Sequence, residues 1–318
     1  MTYEAPYVYG RFPELVAQAF AWLDAAEGSF SAALFGKEIG ITSPAERDEV
    51  LGYLTRNGII EPFGDKRGHY VRVRAECKAI EWQTSTSDWY PLNMPLGLSG
   101  ICGVRKKNII IVAGETNAGK TWFVLQVLHD NLHQNGGAHD RIDYFNSEMG
   151  PDELRLRLMG IDDRIENWQG LKAFERNSDF HTVIRPDGLN IIDYLEVSDK
   201  FFLVADMIRR IHERLTDGVA IICLQKNKGK DTGRGGDFSL EKARLSIALS
   251  YAFGVNTCKV VKCKNPLRGN LNPQGQEIDF RLHRGSSPEI IKPGWRWVSE
   301  RERKSLFARY ECEQTSNL

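Results

Sequence analysis

Eight residues in the first half of the chain have the types and spacing of a phosphate-binding loop. The segment GETNAGKT fits the pattern G-x-x-x-x-G-K-[ST], in which Lys120 reaches the β- and γ-phosphates and the Thr121 hydroxyl holds Mg²⁺. Main-chain N–H groups of the glycine-rich turn and of the following helix surround the β-phosphate. The sequence therefore predicts a site for ATP and Mg²⁺, formed by Gly114, Glu115, Thr116, Asn117, Ala118, Gly119, Lys120, Thr121 and Trp122.

Two acidic residues at the ends of apolar segments complete the chemistry that hydrolysis needs. In LNIIDYLE, Asp193 ends a strand and is the predicted second ligand of Mg²⁺, beside Thr121. In YFNSEMG, Glu148 ends another strand, where a carboxylate could polarise the attacking water. Two structural alternatives stay open: Asp193 as an ordinary strand-end aspartate, and Glu148 as a cap for the helix that begins near Gly150.

The segments that position these residues alternate between strand and helix. NIIIVAG is a continuous β-branched run, as in a strand that is buried on both faces. Further strands are predicted in RIDYFNSE, HTVI, GLNIIDYLEV and VAIICLQ. Helices are predicted from Lys120 to about residue 133, in GPDELRLRLMG, over roughly 199–215, and near SLEKARLSIALSYA. This alternation predicts an α/β domain with a mostly parallel sheet flanked by helices.

The ordered set GETNAGKT, FNSEM, NIIDYLE and ICLQKNK resembles the core of the RecA-like ATPases, over about residues 95–290. Within that group it is similar to the DnaB-like helicases of superfamily 4, of phage or mobile-element type. The resemblance implies that Glu148 is the catalytic base, that Asp193 is the Walker B aspartate, and that Gln225 senses the γ-phosphate.

A basic pair near the end of this region resembles the residues that complete a neighbouring subunit's site in the same helicases. The family's K-x-[RK]-N segment corresponds to Lys262, Lys264 and Asn265, followed by a hairpin-like return strand. Lysine stands where arginine is usual, so it brings one point charge rather than a fork, and Arg268 is a possible substitute. A solvated basic edge strand is the structural alternative. The resemblance implies that ATP sits between subunits of a ring or filament.

The segment KNKGKDTGRGGD, residues 226–237, is called the basic loop here. In RecA-like proteins the corresponding loop lies at the axis of the assembly and binds single-stranded DNA. Four glycines predict flexibility, and the cations suit a phosphate backbone, without stacking aromatics or base readout. The predicted DNA contacts are Lys226, Lys228, Lys230 and Arg234. A disordered, solvated loop is the alternative.

The chain divides into a predicted winged-helix-like domain (1–75), a linker (76–100), a RecA-like ATPase domain (101–292) and a C-terminal extension (293–318). In the first, Ser43, Pro44 and Glu46 mark a helix start, and GIIEPF and HYVRVRA predict a hairpin. This domain is predicted to contact duplex DNA or to dock a protein. Its basic residues are interleaved with acids: Arg47, Arg56, Lys66, Arg67, Arg72 and Arg74.

Composition restricts how the chain could bind nucleic acid or a membrane, but it identifies no partner. The formal net charge is zero, so nucleic acid would have to bind through local patches. The sequence has no membrane-spanning run or signal pattern and predicts a cytoplasmic location, including a bacterial host for a phage protein. The leading expectation is an ATP-dependent motor on single-stranded DNA, a helicase or translocase. A recombinase-like filament, and a DNA-binding regulator with an ATPase switch, are the alternatives.

Overall fold

The computed structural model describes residues 11–26, 28–65, 67–73, 80, 82–132, 142–195, 203–267, 269 and 271–316. The chain separates into two compact units, Met1–Thr86 and Ser87–Leu318. In the described residues no helix is both long and apolar enough to cross a membrane.

The first unit contains three helices and a small antiparallel sheet. Its elements are α1 (Phe12–Ala25), β1 (Ser29–Ser31), α2 (Ala32–Glu38), α3 (Pro44–Arg56), β2 (Ile60–Pro62) and β3 (His69–Arg72). The Ser43 hydroxyl caps α3 by accepting the Glu46 N–H at 3.5 Å. The strands lie in the order β1-β3-β2, so the predicted hairpin is present and β1 is an addition to it.

The second unit begins with the alternation of strands and helices that the sequence predicts. Its first elements are β4 (Ile109–Gly114), α4 (Lys120–Leu132), β5 (Ile142–Asn146), α5 (Pro151–Ile161), β6 (Lys172–Glu175), β7 (Leu189–Asp193), α6 (Leu203–Arg214) and β8 (Val219–Gln225). They are followed by β9 (Ala243–Ala252), β10 (Val255–Cys263), β11 (Gln276–His283), β12 (Ser287–Ile290), β13 (Arg296–Trp297) and α7 (Glu300–Ser316).

One sheet organises this unit, with strand order β12-β11-β10-β9-β4-β8-β7-β5-β6 and with β13 beside β11. The strands from β9 to β6 are mutually parallel, whereas β10 to β13 pair antiparallel. All six residues of β4 are buried. Ile110 and Val112 face the cluster that contains α4, while Ile109 and Ile111 face the cluster that contains α6. The predicted class, a mostly parallel sheet flanked by helices, is confirmed.

Two predicted elements of the sheet are wrong. In the segment SLEKARLSIALSYA, the residues Ala243–Ala252 form strand β9 rather than a helix, because the apolar residues alternate with Arg244, Ser246 and Ser250 at the period of a strand. HTVI is not a strand, since a 3₁₀ turn covers Phe180–Thr182. The edge strand β6 was not predicted, and its four residues are all exposed, so it carries no apolar pattern.

Segments outside the predicted ATPase domain also fold into the second unit. Leu92, Met94 and Leu98, within the predicted linker, are buried in its core. At the other end, the Tyr310 hydroxyl and the Arg303 guanidinium on α7 each donate to Asp279 of β11, both at 2.9 Å. The C-terminal extension therefore packs on the sheet of its own unit.

Candidate nucleotide site and basic loop

The predicted site residues of four strands meet at one edge of the sheet. Gly114 at the end of β4 lies opposite Gln225 at the end of β8. Asn146 at the end of β5 lies opposite Asp193 at the end of β7. Because β4, β8, β7 and β5 are parallel neighbours, the phosphate-binding loop, Glu148, Asp193 and the basic loop all leave the same edge.

Glycines give the phosphate-binding loop its shape. A Cβ on Gly114 would collide with the aliphatic stem of Lys120, so only glycine lets the lysine fold back over the loop. Asn117 and Gly119 have φ of 60° and 91°, the left-handed region. Helix α4 begins at Lys120, which leaves its first N–H groups directed at the loop.

Lys120 is held over the loop by its own chain. Its Nζ donates to the carbonyl oxygens of Gly114 and Glu115 at 3.2 and 3.1 Å, and to Gln225 Oε1 at 3.3 Å. Three oxygens thus hold the ammonium where the pattern requires a phosphate-binding cation. The cradle and the placed cation fit a nucleoside triphosphate.

Asp193 is a buried carboxylate with an environment suited to a cation. It is 3% exposed, and the Tyr144 hydroxyl donates to its Oδ2 at 3.0 Å. Burial raises the pKa of Asp193, against which hydrogen bonds from Tyr144 and Thr121 and the charge of Lys120 act. The Thr121 hydroxyl and this carboxylate are within bonding reach of each other, as Mg²⁺ coordination at such a loop requires.

Glu148 lies beside Asp193. The N–H of the preceding residue, Ser147, donates to the Asp193 carbonyl at 3.2 Å, which joins the ends of β5 and β7. The Glu148 N–H donates to Asn146 Oδ1 at 3.2 Å, and its side chain is exposed. Helix α5 starts at Pro151, and its N-cap residue, Gly150, makes no side-chain cap bond, so both roles of Glu148 stay predictions.

Gln225 connects the phosphate-binding loop to the basic loop. Its amide accepts from Lys120 and donates to Thr116 Oγ1 at 2.9 Å. Its main-chain carbonyl accepts the N–H of Arg234 at 2.7 Å. A shift of Gln225 would therefore displace the start of the basic loop, which follows it directly, and also Arg234 near the end of that loop.

Lys226 does not have the position that the sequence predicts for a DNA contact. Its side chain is 1% exposed and its Nζ donates to Glu115 Oε1 at 2.9 Å, the Lys230 carbonyl at 2.8 Å and Ser250 Oγ at 2.9 Å. Three partners within the chain bind its ammonium, so Lys226 is not available to contact a DNA phosphate. Glu115, at the second position of the phosphate-binding loop, is therefore the ion-pair partner of Lys226.

The other three predicted DNA contacts, Lys228, Lys230 and Arg234, are exposed. The loop that carries them is more ordered than its four glycines suggest. Lys226 forms a β-bridge with Gly233, and Asp231 pairs with Lys259 of β10 at 2.8 Å. The exposed cations thus lie on a folded loop beside the candidate nucleotide site.

Lys262 and Lys264 are not level with the phosphate-binding loop. Lys262 pairs with Ser246, which pairs with Ile111 in the middle of β4. The Lys264 N–H donates to the Arg244 carbonyl at 2.9 Å, level with the start of β4, whereas the phosphate-binding loop follows its end. For Lys264 the separation along β4 is roughly 16 Å, from five residues at about 3.3 Å each, and for Lys262 it is roughly 10 Å, from three residues. Lys264 is therefore too far along the sheet to reach the phosphate-binding loop of its own chain.

The two lysines differ in their surroundings. Lys262 Nζ donates to the Leu240 carbonyl at 2.6 Å, and burial, followed by the charges of Lys264 and Arg244, lowers its pKa. Lys264 is exposed, as is Arg244, which sequence reasoning did not consider. Arg268 lies outside the described residues.

Two side chains near the phosphate-binding loop have positions that the motifs do not indicate. Trp122, predicted as a nucleotide contact, is 4% exposed and its indole donates to the Ser286 carbonyl at 2.7 Å, so its side chain belongs to the core. Buried Asn256 of β10 donates to the Ala118 carbonyl at 3.2 Å and supports the loop from beneath. A lone asparagine in a strand carries no sequence signal of this role.

In the first unit, two of the arginines considered for DNA are engaged within the chain. Arg47 pairs with Asp48 at 2.8 Å and Arg72 with Asp24 at 2.6 Å. Arg56 and Arg67 are exposed. Lys66 and Arg74 lie outside the described residues.

Comparison with known proteins defines the fold. No protein-family model and no curated protein matches the chain. A KaiC-like protein from the hyperthermophilic archaeon Pyrococcus horikoshii OT3 is similar in structure, with a TM-score of 0.50 and 16% identity, covering 64% of this chain and 99% of that one. The RadB recombinase is also similar, with a TM-score of 0.43 and 14% identity over 60% of this chain and 94% of that one. The likeness to the first shows that the sheet and its helices have a RecA-like fold.

Proposed function

We propose that this protein hydrolyses ATP between neighbouring subunits and uses the energy to move along single-stranded DNA, as a DnaB-like helicase or translocase. The observation that carries the proposal is Gln225, which bonds Lys120 with its side chain and Arg234 with its main chain. One residue therefore contacts both the predicted phosphate site and the predicted DNA loop.

Each residue at the edge has a role in this reaction. Lys120 and the main-chain N–H groups of residues 114–121 bind the phosphates, and Thr121 and Asp193 hold Mg²⁺. When bound, the ion neutralises charge that develops on the phosphate oxygens. Glu148 orients the attacking water and accepts its proton, because it is the exposed carboxylate next to Asp193. Gln225 reports the presence of the γ-phosphate to the basic loop.

The position of Lys262 and Lys264 supports a shared site. Lys264 lies too far along the sheet to reach its own phosphate-binding loop, so a neighbouring subunit is the geometry in which it can act. Lys264 is the better candidate for the contact, because it is exposed whereas the amine of Lys262 is bonded to its own chain. The proposed working form is a ring or filament.

The first unit has a separate role in the proposal. Its three helices and terminal hairpin suit a winged helix-turn-helix, which would contact duplex DNA or dock a protein. Arg56 and Arg67 are the exposed cations that would face phosphates.

The direct test is electron microscopy of the full chain with a non-hydrolysable ATP analogue, with and without single-stranded DNA, together with ATPase assays. The proposal expects closed assemblies on DNA and hydrolysis that single strands stimulate more than duplexes, with Lys120→Ala as the inactive control. Open filaments without unwinding would favour a recombinase-like role. Monomers whose hydrolysis ignores single strands would contradict the proposal.

A further inference from the structure

An aromatic side chain is exposed at the end of the basic loop. Phe238 lies on the 3₁₀ turn Gly236–Leu240 and is 52% exposed. It lines an open cleft of about 490 Å³ together with Asn227, Lys230, Thr232, Arg234 and three glycines. The sequence suggested a loop without stacking aromatics, because Phe238 stands one residue beyond the glycine-rich segment.

The turn that carries Phe238 is fixed by its own hydrogen bonds. The Phe238 N–H donates to the Gly235 carbonyl at 3.2 Å, and the buried Ser239 hydroxyl donates to the Gly236 carbonyl at 2.7 Å. Gly235 and Gly236 have φ of 105° and 56°, which non-glycine residues rarely adopt. The ring is thus presented on an ordered turn, and binding has little backbone freedom to remove.

The glycines also keep the cleft open and close to the sheet. A Cβ on Gly233 would lie 2.8 Å from Leu224 Cβ, so the loop can lie flat against β8 only with glycine there. At Gly236 a Cβ would meet nothing within 4 Å, so that face of the turn is open space. The result is a recess beside the ring with main chain as its floor.

The charges around the cleft are positive. Lys230 and Arg234 are exposed cations of its lining, and no acid lines it. Asp231 is turned to Lys259 at 2.8 Å, and Asp237, although exposed, is not part of the lining. An aromatic face and two cations in one cleft are the combination that single-stranded nucleic acids require, since every base has a π-face and every nucleotide a phosphate.

We propose that this cleft is a subsite for one unpaired nucleobase of single-stranded DNA. Phe238 stacks on the base, while Lys230 and Arg234 bind the phosphates on either side. Because stacking needs no particular base edge, the subsite is tolerant of sequence. It discriminates against duplex DNA, whose bases would have to unstack to enter. This inference rests on the proposed function and adds a base contact to it.

The test compares the affinities of Phe238 variants for three oligonucleotides of equal length: an ordinary single strand, a strand of abasic sugar-phosphates, and a duplex. Phe238→Ala should weaken binding of the ordinary strand on the order of 10-fold to 100-fold. Phe238→Leu should do the same, since it keeps an apolar side chain without the ring, and Phe238→Trp should restore binding. On the abasic strand wild type and Phe238→Ala should bind equally.

A matched control is Phe174→Ala, which removes another half-exposed phenylalanine, on the edge strand β6, and should leave affinity for every strand unchanged. Thermal unfolding confirms that each variant is folded. The salt dependence of binding should be the same for wild type and Phe238→Ala, because both proteins bring the same cations to the phosphates.

Two results would overturn the inference while leaving the proposed function intact. One is equal affinity of wild type and Phe238→Ala for the ordinary strand, when neutralising the loop lysines still weakens it. The other is an equal loss on ordinary and abasic strands, which would place Phe238 in a contact between subunits instead. Absence of single-strand binding by the wild type would overturn the proposed function itself.

Discussion

At the scale of single residues, a substitution of Glu148 tests whether this residue is the catalytic base. Glu148→Gln should bind ATP with nearly normal affinity and hydrolyse it about 10² to 10⁴ times more slowly, because an amide cannot accept the proton of the attacking water. Binding of a fluorescent ATP analogue and steady-state hydrolysis measure the two quantities. Glu153→Gln, on the surface of α5, is the control. Normal turnover by Glu148→Gln would remove it as the base.

Asp193 links function to stability. Burial raises the pKa of Asp193 in the folded protein above that of an aspartate in the unfolded chain. The contribution of this group to the free energy of unfolding is therefore largest at a pH below the unfolded pKa, and it is lost as the pH rises through the folded pKa. At neutral pH without Mg²⁺, Asp193→Asn should therefore stabilise the protein by on the order of 1 kcal/mol, while ATP hydrolysis is lost.

The melting temperatures of wild type and Asp193→Asn, measured with and without Mg²⁺ and ATP, test this prediction of stability. The wild type should gain stability from the added ligands and the variant should not. Asp163→Asn, at an exposed aspartate, should change neither quantity. A lower melting temperature for Asp193→Asn without ligands would mean that the carboxylate stabilises the fold.

At the scale of elements, the buried ion pair between Lys226 and Glu115 joins the phosphate-binding loop to the basic loop. Lys226→Met leaves the Glu115 carboxylate without its main partner, so the second unit should lose about 3–5 kcal/mol of unfolding free energy. Lys228→Met, two residues along on the exposed loop, should change it by no more than about 0.5 kcal/mol. Urea unfolding followed by tryptophan fluorescence distinguishes them. If the double change Glu115→Gln with Lys226→Met is no more stable than Lys226→Met alone, the pair does not act as a unit.

The exposed cations of the same loop should control the electrostatic part of DNA binding. Neutralising Lys228 and Lys230 should weaken single-strand affinity and lower the slope of log affinity against log salt by about 0.7 for each phosphate that is no longer neutralised. Neutralising Lys172 and Lys304, which are exposed elsewhere in the second unit, is the matched control. A salt slope unchanged by the loop variants would contradict the assignment of DNA to this loop.

Local patterns predicted the strands that bear chemistry but not the contacts among their loops. Strands β4, β7 and β8 are apolar runs that end in Gly114, Asp193 and Gln225, so the sequence predicts each strand together with its candidate site residue. For the residues of β9 the sequence predicts a helix, because small residues such as Ala248 fit either period. The burial of Lys226 depends on Glu115, 111 residues away in sequence, and no local pattern reports such a pairing.

At the scale of the whole molecule, a mixing experiment tests the shared site. Lys120→Ala and Lys264→Ala should each be inactive alone. When subunits of the two variants are mixed in equal amounts, an intact loop meets an intact lysine at about a quarter of random heterologous interfaces, so part of the activity should return.

The readout is DNA-stimulated ATPase activity of the mixture relative to either variant alone. A mixture of Lys120→Ala with Lys120→Ala/Lys264→Ala is the control, because no interface in it has an intact loop, and it should stay inactive. No recovery in the first mixture, with exchange of subunits verified, would place the action of Lys264 elsewhere.

The phosphate-binding loop and Lys264 lie at opposite ends of the strands, and this placement determines how many complete sites an assembly contains. If each subunit offers one half of a site to the neighbour on one side and the other half to the neighbour on the other side, the subunits repeat head to tail. An open stack of n subunits then contains n − 1 complete sites, and a closed ring contains n. Hydrolysis per subunit should rise with protein concentration and level off once the assembly closes, and the stack has two unlike ends.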